Sequence, residues 1–167
     1  LGTNTDYALA ASQSARQVIV EVNPAMPCVA GNCRIPIDRV TAIVENPRPL
    51  VEVPPAAIRD TDVTIGALIA DMVEDGACLQ MGIGALPDAV CAALADRRHL
   101  GIHTELMTPG LAALMRQGVI DNSRKSINTG RSVFTFAMGD KALYDYLDGN
   151  PAFEAHPVDY VNDPAVI

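Results

Sequence analysis

Short β-type segments alternate with helical segments from residue 60 to the end of the chain. The pattern predicts strands at 77–81, 100–103 and 132–138, a short strand near Phe153, and helices at 86–95, 110–117 and 140–147. Strands that alternate with helices indicate an α/β fold with a parallel sheet and right-handed crossovers.

The first helix of this part begins at Asp60 or Thr61, and Gly76 follows its end. Its apolar residues recur at helical spacing and are expected to form its packed face: Ile65, Leu68, Ile69 and Met72.

The N-terminal part has a different pattern, with an Ala-rich helix at 6–16 and strands at 17–22 and 40–44. Residues 47–55 hold four prolines in nine positions, so this segment is extended and cannot lie inside a sheet or helix. We therefore predict a domain boundary here. Residues 1–46 would end one domain, 47–58 would be a linker, and 59–167 would begin a second domain.

Two strand-to-helix junctions carry the candidate site. One is the glycine turn containing Gln80, Gly82, Ile83 and Gly84, and the other contains Glu105, just before a helix opened by Thr108-Pro109. Ligands bind open α/β sheets outside the carboxyl ends of the strands. Consecutive βα units would place the two loops side by side, with the carboxylate facing a wall of backbone N–H groups.

The stretches QMGIGALPDAV (80–90) and LGIHTELMTPGLAALMRQGVI (100–120) resemble the acetyl-CoA hydrolase/transferase family, most closely its 4-hydroxybutyrate and acetate (butyrate) CoA-transferase branch. The resemblance extends from VNPAMP near the start to DYVNDPAVI at the end. It implies a partial CoA-transferase-like (NagB/RpiA-like) parallel-sheet domain, preceded by the end of a similar N-terminal domain. Members are usually more than twice as long, so we expect a central fragment that lacks the family's later glycine-rich CoA loop.

The resemblance also implies roles for individual residues. Glu105 would be the catalytic nucleophile, and the turn at Gln80, Gly82, Ile83 and Gly84 would form the oxyanion and acyl-CoA site. Asn162 would contact the acyl group or Glu105. His103, on the same side of an extended segment as Glu105, would support the site.

The residues alone allow simpler interpretations. Glu105 could be a solvated charge or a helix cap, the glycines a tight turn, His103 a structural residue, and Asn162 the start of a turn. A dinucleotide-binding G-x-G-x-x-G motif is disfavoured, because Pro87 stands where its last glycine belongs. Arg124, Lys125 and Arg131 could meet CoA phosphates or belong to a solvated loop.

Composition restricts the partners. The net charge of −8 argues against nucleic acid, and no apolar run approaches the roughly 20 residues of a membrane span. The four cysteines fit reduced thiols of a cytoplasmic protein, and Cys28 and Cys33 lack the second ligand pair of a zinc site. We expect no bound metal or permanent cofactor, coenzyme A as a substrate, and a homodimer in the intact protein.

The sequence therefore predicts a CoA-transferase that moves CoA between a short-chain acyl-CoA and a carboxylate such as 4-hydroxybutyrate, butyrate or acetate. A ping-pong reaction would pass through a glutamyl-CoA thioester on Glu105. Two alternatives stay open. One is an acyl-CoA hydrolase on the same scaffold, and the other is a truncated module without activity.

Overall fold

A five-stranded parallel sheet, in the order β2-β7-β6-β5-β4, organises the computed structural model, which describes residues 1–167. This confirms the predicted α/β class. The strands are β1 (Ile19–Val22), β2 (Ala30–Gly31), β3 (Ala42–Glu45), β4 (Cys78–Leu79), β5 (Gly101–Met107), β6 (Ser132–Ala137) and β7 (Phe153–Ala155). The helices are α1 (Ala8–Ser14), α2 (Asp60–Ala70), α3 (Ala85–Ala93), α4 (Pro109–Arg116), α5 (Lys141–Leu147) and α6 (Val158–Val161), with a 3₁₀ turn at Ile37–Arg39.

Helices α3, α4 and α5 share one hydrophobic core with the sheet. Leu94, directly after α3, and Leu111 and Leu143 of α4 and α5 are fully buried in the same cluster as Ile102 of β5 and Phe134 of β6. Successive residues of a strand point to opposite faces, so the neighbours of Ile102 along β5 face away from this core. That second face receives the short helix α6, which contacts β5 and β6.

Local signals in the sequence set the ends of α4 and α5. The hydroxyl of Thr108 accepts a hydrogen bond from the backbone N–H of Leu111, and Pro109 occupies the first turn of α4. The carboxylate of Asp140 caps α5 in the same way, through the N–H of Leu143. Both helices begin within a residue of the predicted position.

Helix α2 packs differently from the prediction. Its apolar residues Ile65, Leu68, Ile69 and Met72 are all exposed, and Met72 is 82% exposed. The small residues Gly66 and Ala70 are buried instead. A Cβ on Gly66 would lie 2.9 Å from the carbonyl carbon of Ala89, so the absence of a side chain lets α2 and α3 approach closely. The predicted packed face of this helix was therefore wrong.

Residues before the predicted boundary are divided between two sheets. Strands β1 and β3 form a separate two-stranded parallel sheet. Strand β2 instead pairs with β7 in the main sheet, and Asn4 pairs with Phe136 of β6. The domain boundary at 47–58 stays a prediction.

The proline-rich segment contains no helix or strand between β3 and α2. It lies against the start of α5, where Val51 accepts a hydrogen bond from the hydroxyl of Tyr144 at 2.9 Å and Val53 donates to Gly139 at 2.8 Å. None of the helices is both long and apolar enough to cross a lipid bilayer.

Candidate active site

Glu105 lies within β5, not in the loop after it as predicted, because the strand continues to Met107. Residues on both sides of Glu105 pair with β6, through Thr104 with Phe134 and Leu106 with Phe136. The backbone of the carboxylate is therefore fixed by the sheet. Its side chain is half-buried, and Oε2 accepts a hydrogen bond of 2.9 Å from Nδ2 of Asn162.

Asn162 reaches Glu105 from the residue that follows α6. Its backbone N–H donates to the carbonyl of Val158, which ends the helix, and its side chain extends toward β5. The two residues are separated by 57 positions in the sequence. The structure thus brings together a carboxylate and an amide donor that the family resemblance had assigned to one site.

His103 lies beneath α6 on the same face of β5 as Glu105. Its side chain is buried, with 7% exposed, and Nε2 is 3.0 Å from the carbonyl oxygen of Val161. Nδ1 is buried and has no hydrogen-bond partner. Burial lowers the pKa of His103 below its usual value, and the nearby Lys125 ammonium lowers it further. The imidazole is consequently neutral at neutral pH.

The glycine turn lies beside Glu105. Strands β4 and β5 pair at Cys78 with Gly101 and Leu79 with Ile102, and beyond the end of β4 the backbone of Met81 contacts Thr104. Continuing this register by one residue puts Gly82 level with Glu105. Thr104 fixes this arrangement, because its hydroxyl accepts from the N–H of Met81 at 3.1 Å and lies 3.2 Å from the Met81 carbonyl.

Three backbone donors of the turn are free. The N–H groups of Gly82, Ile83 and Gly84 donate to no group of this chain. Gly84 has φ +119° and ψ −177°, a conformation that essentially only glycine adopts. The backbone does not require a glycine at position 82, because φ there is not positive and an added Cβ would meet only the side chain of Pro87, at 3.9 Å.

Gln80 was predicted to belong to the oxyanion and acyl-CoA site beside Glu105, but it lines a separate cavity. It lines a cavity of about 210 Å³ together with Cys78, His103 and Lys125, and Glu105 is not among the residues that line this cavity. Gln80 and His103 thus line the same cavity, and no hydrogen bond joins Gln80 to the carboxylate.

The basic loop before β6 does not present Lys125 to a phosphate. The Lys125 ammonium is buried and donates to the carbonyls of Ile102 and Arg131, each at 2.7 Å. Burial lowers the pKa of Lys125. Arg131 lies 3.6 Å from the carboxylate of Glu154, and Arg124 contacts the carbonyl of Asp75. Lys125 was expected either to meet CoA phosphates or to lie in a solvated loop, and the structure shows a third role, which is to tie β5 to the residue before β6.

Thr104 is a residue of the site that the sequence analysis missed. A threonine inside a strand is ordinary for its β-propensity, so nothing local distinguishes it. Only the pairing of β4 with β5 shows that its hydroxyl holds the glycine turn.

Together, these groups form a site suited to acyl chemistry. A strand-fixed carboxylate accepts one hydrogen bond from an amide and lies level with a turn whose N–H groups are free. A carboxylate can act as a nucleophile, and free backbone N–H groups can stabilise an oxyanion.

Comparisons with known proteins show which class of protein the chain resembles. The chain is 46% identical over 158 residues to succinyl-CoA:cyclohexane-1-carboxylate CoA transferase of Geobacter metallireducens, covering 95% of this chain and 36% of that protein. It is 45% identical over 166 residues to 4-hydroxybutyrate coenzyme A transferase of Clostridium kluyveri, and the match covers 99% of this chain and 39% of that protein. No protein-family model matches the chain.

A solved structure gives the same result for the fold. The crystal structure of 4-hydroxybutyrate CoA-transferase from Porphyromonas gingivalis superposes with a TM-score of 0.95 at 41% identity, covering 99% of this chain and 42% of that one.

Over nearly its whole length the chain is therefore similar to part of the CoA-transferases, the family that the motifs at the glycine turn and Glu105 resemble. Its similarity to the 4-hydroxybutyrate enzymes confirms the branch that the sequence resembles. The chain spans only 36% to 39% of the length of these two curated relatives, so the prediction that it matches part of a longer family member is also confirmed.

Proposed function

We propose that the protein containing this chain transfers CoA between a short-chain acyl-CoA and a carboxylic acid, with Glu105 as the nucleophile. The observation that carries the proposal is the hydrogen bond from Asn162 to the Glu105 carboxylate, beside a turn with three free N–H groups.

The reaction would proceed in balanced steps. The Glu105 carboxylate attacks the thioester carbonyl, which forms an acyl-glutamyl anhydride and releases CoA thiolate. The thiolate attacks the glutamyl carbonyl of the anhydride, which forms a glutamyl-CoA thioester and releases the first carboxylic acid as its anion. A second carboxylate then reverses both steps, and the kinetics are ping-pong.

The glycine turn would stabilise the negative charge that develops on the carbonyl oxygen. Gly82 lies level with Glu105, and its backbone donor is free. One such preorganised donor typically contributes on the order of 3 kcal/mol to lowering the barrier. The Asn162 amide would orient the attacking carboxylate and stay in contact with it as its charge changes.

The substrates are proposed to be acyl groups and acids of the 4-hydroxybutyrate, butyrate or acetate type, because relatives at 45% and 38% identity are named for 4-hydroxybutyrate and for butyryl-CoA and acetate. The hydrolase alternative is not favoured, since the curated relatives described here are named as transferases.

Replacing Glu105 with glutamine tests the nucleophile. We expect Glu105→Gln in the complete protein to lower CoA exchange between acetyl-CoA and butyrate by at least about 10³-fold, since an amide cannot form the anhydride. Glu45→Gln, at an exposed residue of β3, is the matched control and should retain activity.

The covalent intermediate gives a second measurement. The wild-type protein incubated with acyl-CoA should carry CoA on the peptide containing Glu105, seen by mass spectrometry, and borohydride or hydroxylamine should trap it. A modification on another residue, or retained turnover in Glu105→Gln, would refute the assignment.

A further inference from the structure

Helix α6 carries Asn162 but is too short to hold its own position. It contains only four residues, Val158–Val161, and isolated helices of this length are not stable. Its position against the sheet must therefore come from contacts with other elements. Tyr160 supplies one of them, since its hydroxyl donates to the side chain of Asn128 at 2.8 Å.

His103 contacts the backbone of the residue that directly precedes Asn162. A carbonyl oxygen only accepts hydrogen bonds, so the proton of the neutral imidazole is on Nε2 and points at Val161, the residue directly before Asn162. The ring also lies with its centroid 6.0 Å from that of Tyr160. One side chain of β5 thus holds the end of α6, and two residues further along the same face Glu105 receives the amide of Asn162.

We propose that His103 is a positioning residue, which holds the end of α6 at the distance from β5 at which Asn162 can donate to Glu105. This inference rests on the proposed function of Glu105 and deepens it. The chain of contacts runs from His103 through the backbone of Val161 to Asn162 and back to the strand that bears the nucleophile. No role for His103 as an acid or base is needed.

The geometry distinguishes two conservative substitutions. The terminal nitrogen of glutamine is separated from Cβ by the same number of bonds as Nε2 of histidine, so it can donate to the Val161 carbonyl. The asparagine amide is one bond shorter and ends near the position of Nδ1, which makes no hydrogen bond here. His103→Gln and His103→Asn are therefore matched variants that differ in reach.

We expect the complete protein with His103→Asn to have a kcat about fivefold to tenfold below that of His103→Gln, the loss expected for one hydrogen bond. The KM for acyl-CoA should stay within about twofold between the two, because the contact acts on the carboxylate and not on CoA. Circular dichroism of both variants checks that each is folded. Equal kcat values in the two folded variants would overturn the proposal.

A double-mutant cycle separates positioning from general destabilisation. In an Asn162→Ala background the amide is absent, so exchanging glutamine for asparagine at position 103 should change kcat by less than about twofold. The same drop in both backgrounds would show that His103 does not act through Asn162. Failure of the proposed function is recognised separately, because Glu105→Gln would then remain active whatever the cycle shows.

Discussion

At the scale of single residues, the two glycines of the turn have different reasons to be glycine. Gly84 is fixed by its backbone conformation, whereas nothing in this chain requires the absence of a side chain at Gly82. Gly82 is level with Glu105 and exposed. A substrate that approaches the backbone closely would explain why no side chain projects there.

Alanine substitutions separate these roles. Gly84→Ala should reduce the free energy of unfolding by about 1–3 kcal/mol, because alanine is strained at this φ and ψ. Gly82→Ala should leave the free energy of unfolding within about 0.5 kcal/mol and still lower kcat/KM, since a methyl group would stand where the acyl group approaches. Urea unfolding and initial rates measure the two effects. A fully active and stable Gly82→Ala protein would contradict the proposed oxyanion site.

At the residue scale, the sequence predicted the relative placement of residues that share one strand, and the catalytic roles stay predictions. The histidine and glutamate of GIHTE are two positions apart on one strand face, as an extended segment requires. Asn162 could be assigned only through family resemblance, because no local pattern links it to a carboxylate 57 positions away. The contact between His103 and Val161 has no signal in the sequence, since its acceptor is a backbone oxygen.

At the scale of secondary structure, α2 shows why helix periodicity does not by itself define the packed face. The apolar spacing of Ile65, Leu68, Ile69 and Met72 is regular, yet the helix packs through Gly66 and Ala70. Close approach of two backbones can outweigh side-chain burial when small residues face each other. Helices α4 and α5 were placed correctly because their caps, Thr108 and Asp140, are local signals that packing does not override.

The close contact between α2 and α3 leads to a stability prediction. Gly66→Ala should lower the free energy of unfolding by about 1–3 kcal/mol despite the better helix propensity of alanine, because the new methyl group meets the backbone of Ala89. Val63→Ala, on an exposed part of the same helix, should change it by no more than about 0.5 kcal/mol. Chemical denaturation followed by circular dichroism measures both, and a stabilised Gly66→Ala would show that α2 does not pack in this way.

At the scale of the whole molecule, a large amount of apolar surface is uncovered. Exposed apolar side chains occur on α2, on both strands of the small sheet and in the proline-rich segment, including Leu68, Met72, Ile19, Ile43 and Val51. Contiguous apolar patches on a protein surface usually mark interaction sites. The composition of the chain could not reveal this, because which apolar residues are covered depends on the packing of α2 and β1.

We expect the 167-residue chain to self-associate as its concentration rises. The double substitution Leu68→Lys and Met72→Lys should shift it toward the monomer in sedimentation velocity experiments. Gln13→Lys with Ser14→Lys adds the same charge at polar, exposed positions of α1 and should have a smaller effect. A chain that is monomeric at all concentrations, or equal shifts in both variants, would count against this prediction.

The two hydrogen-bonded residues of the site, Glu105 and Asn162, belong to elements of very different size. Glu105 belongs to a strand that is flanked by β4 and β6, whereas Asn162 ends a single helical turn entered through Pro157. In the proposed transfer cycle the acid would alternate between anion, anhydride and thioester, and the pairing of β5 with β4 and β6 would leave its backbone little freedom to follow. Adjustment would therefore fall to the side chain of Asn162, because the backbone just before it is held to β5 through Val161 and His103.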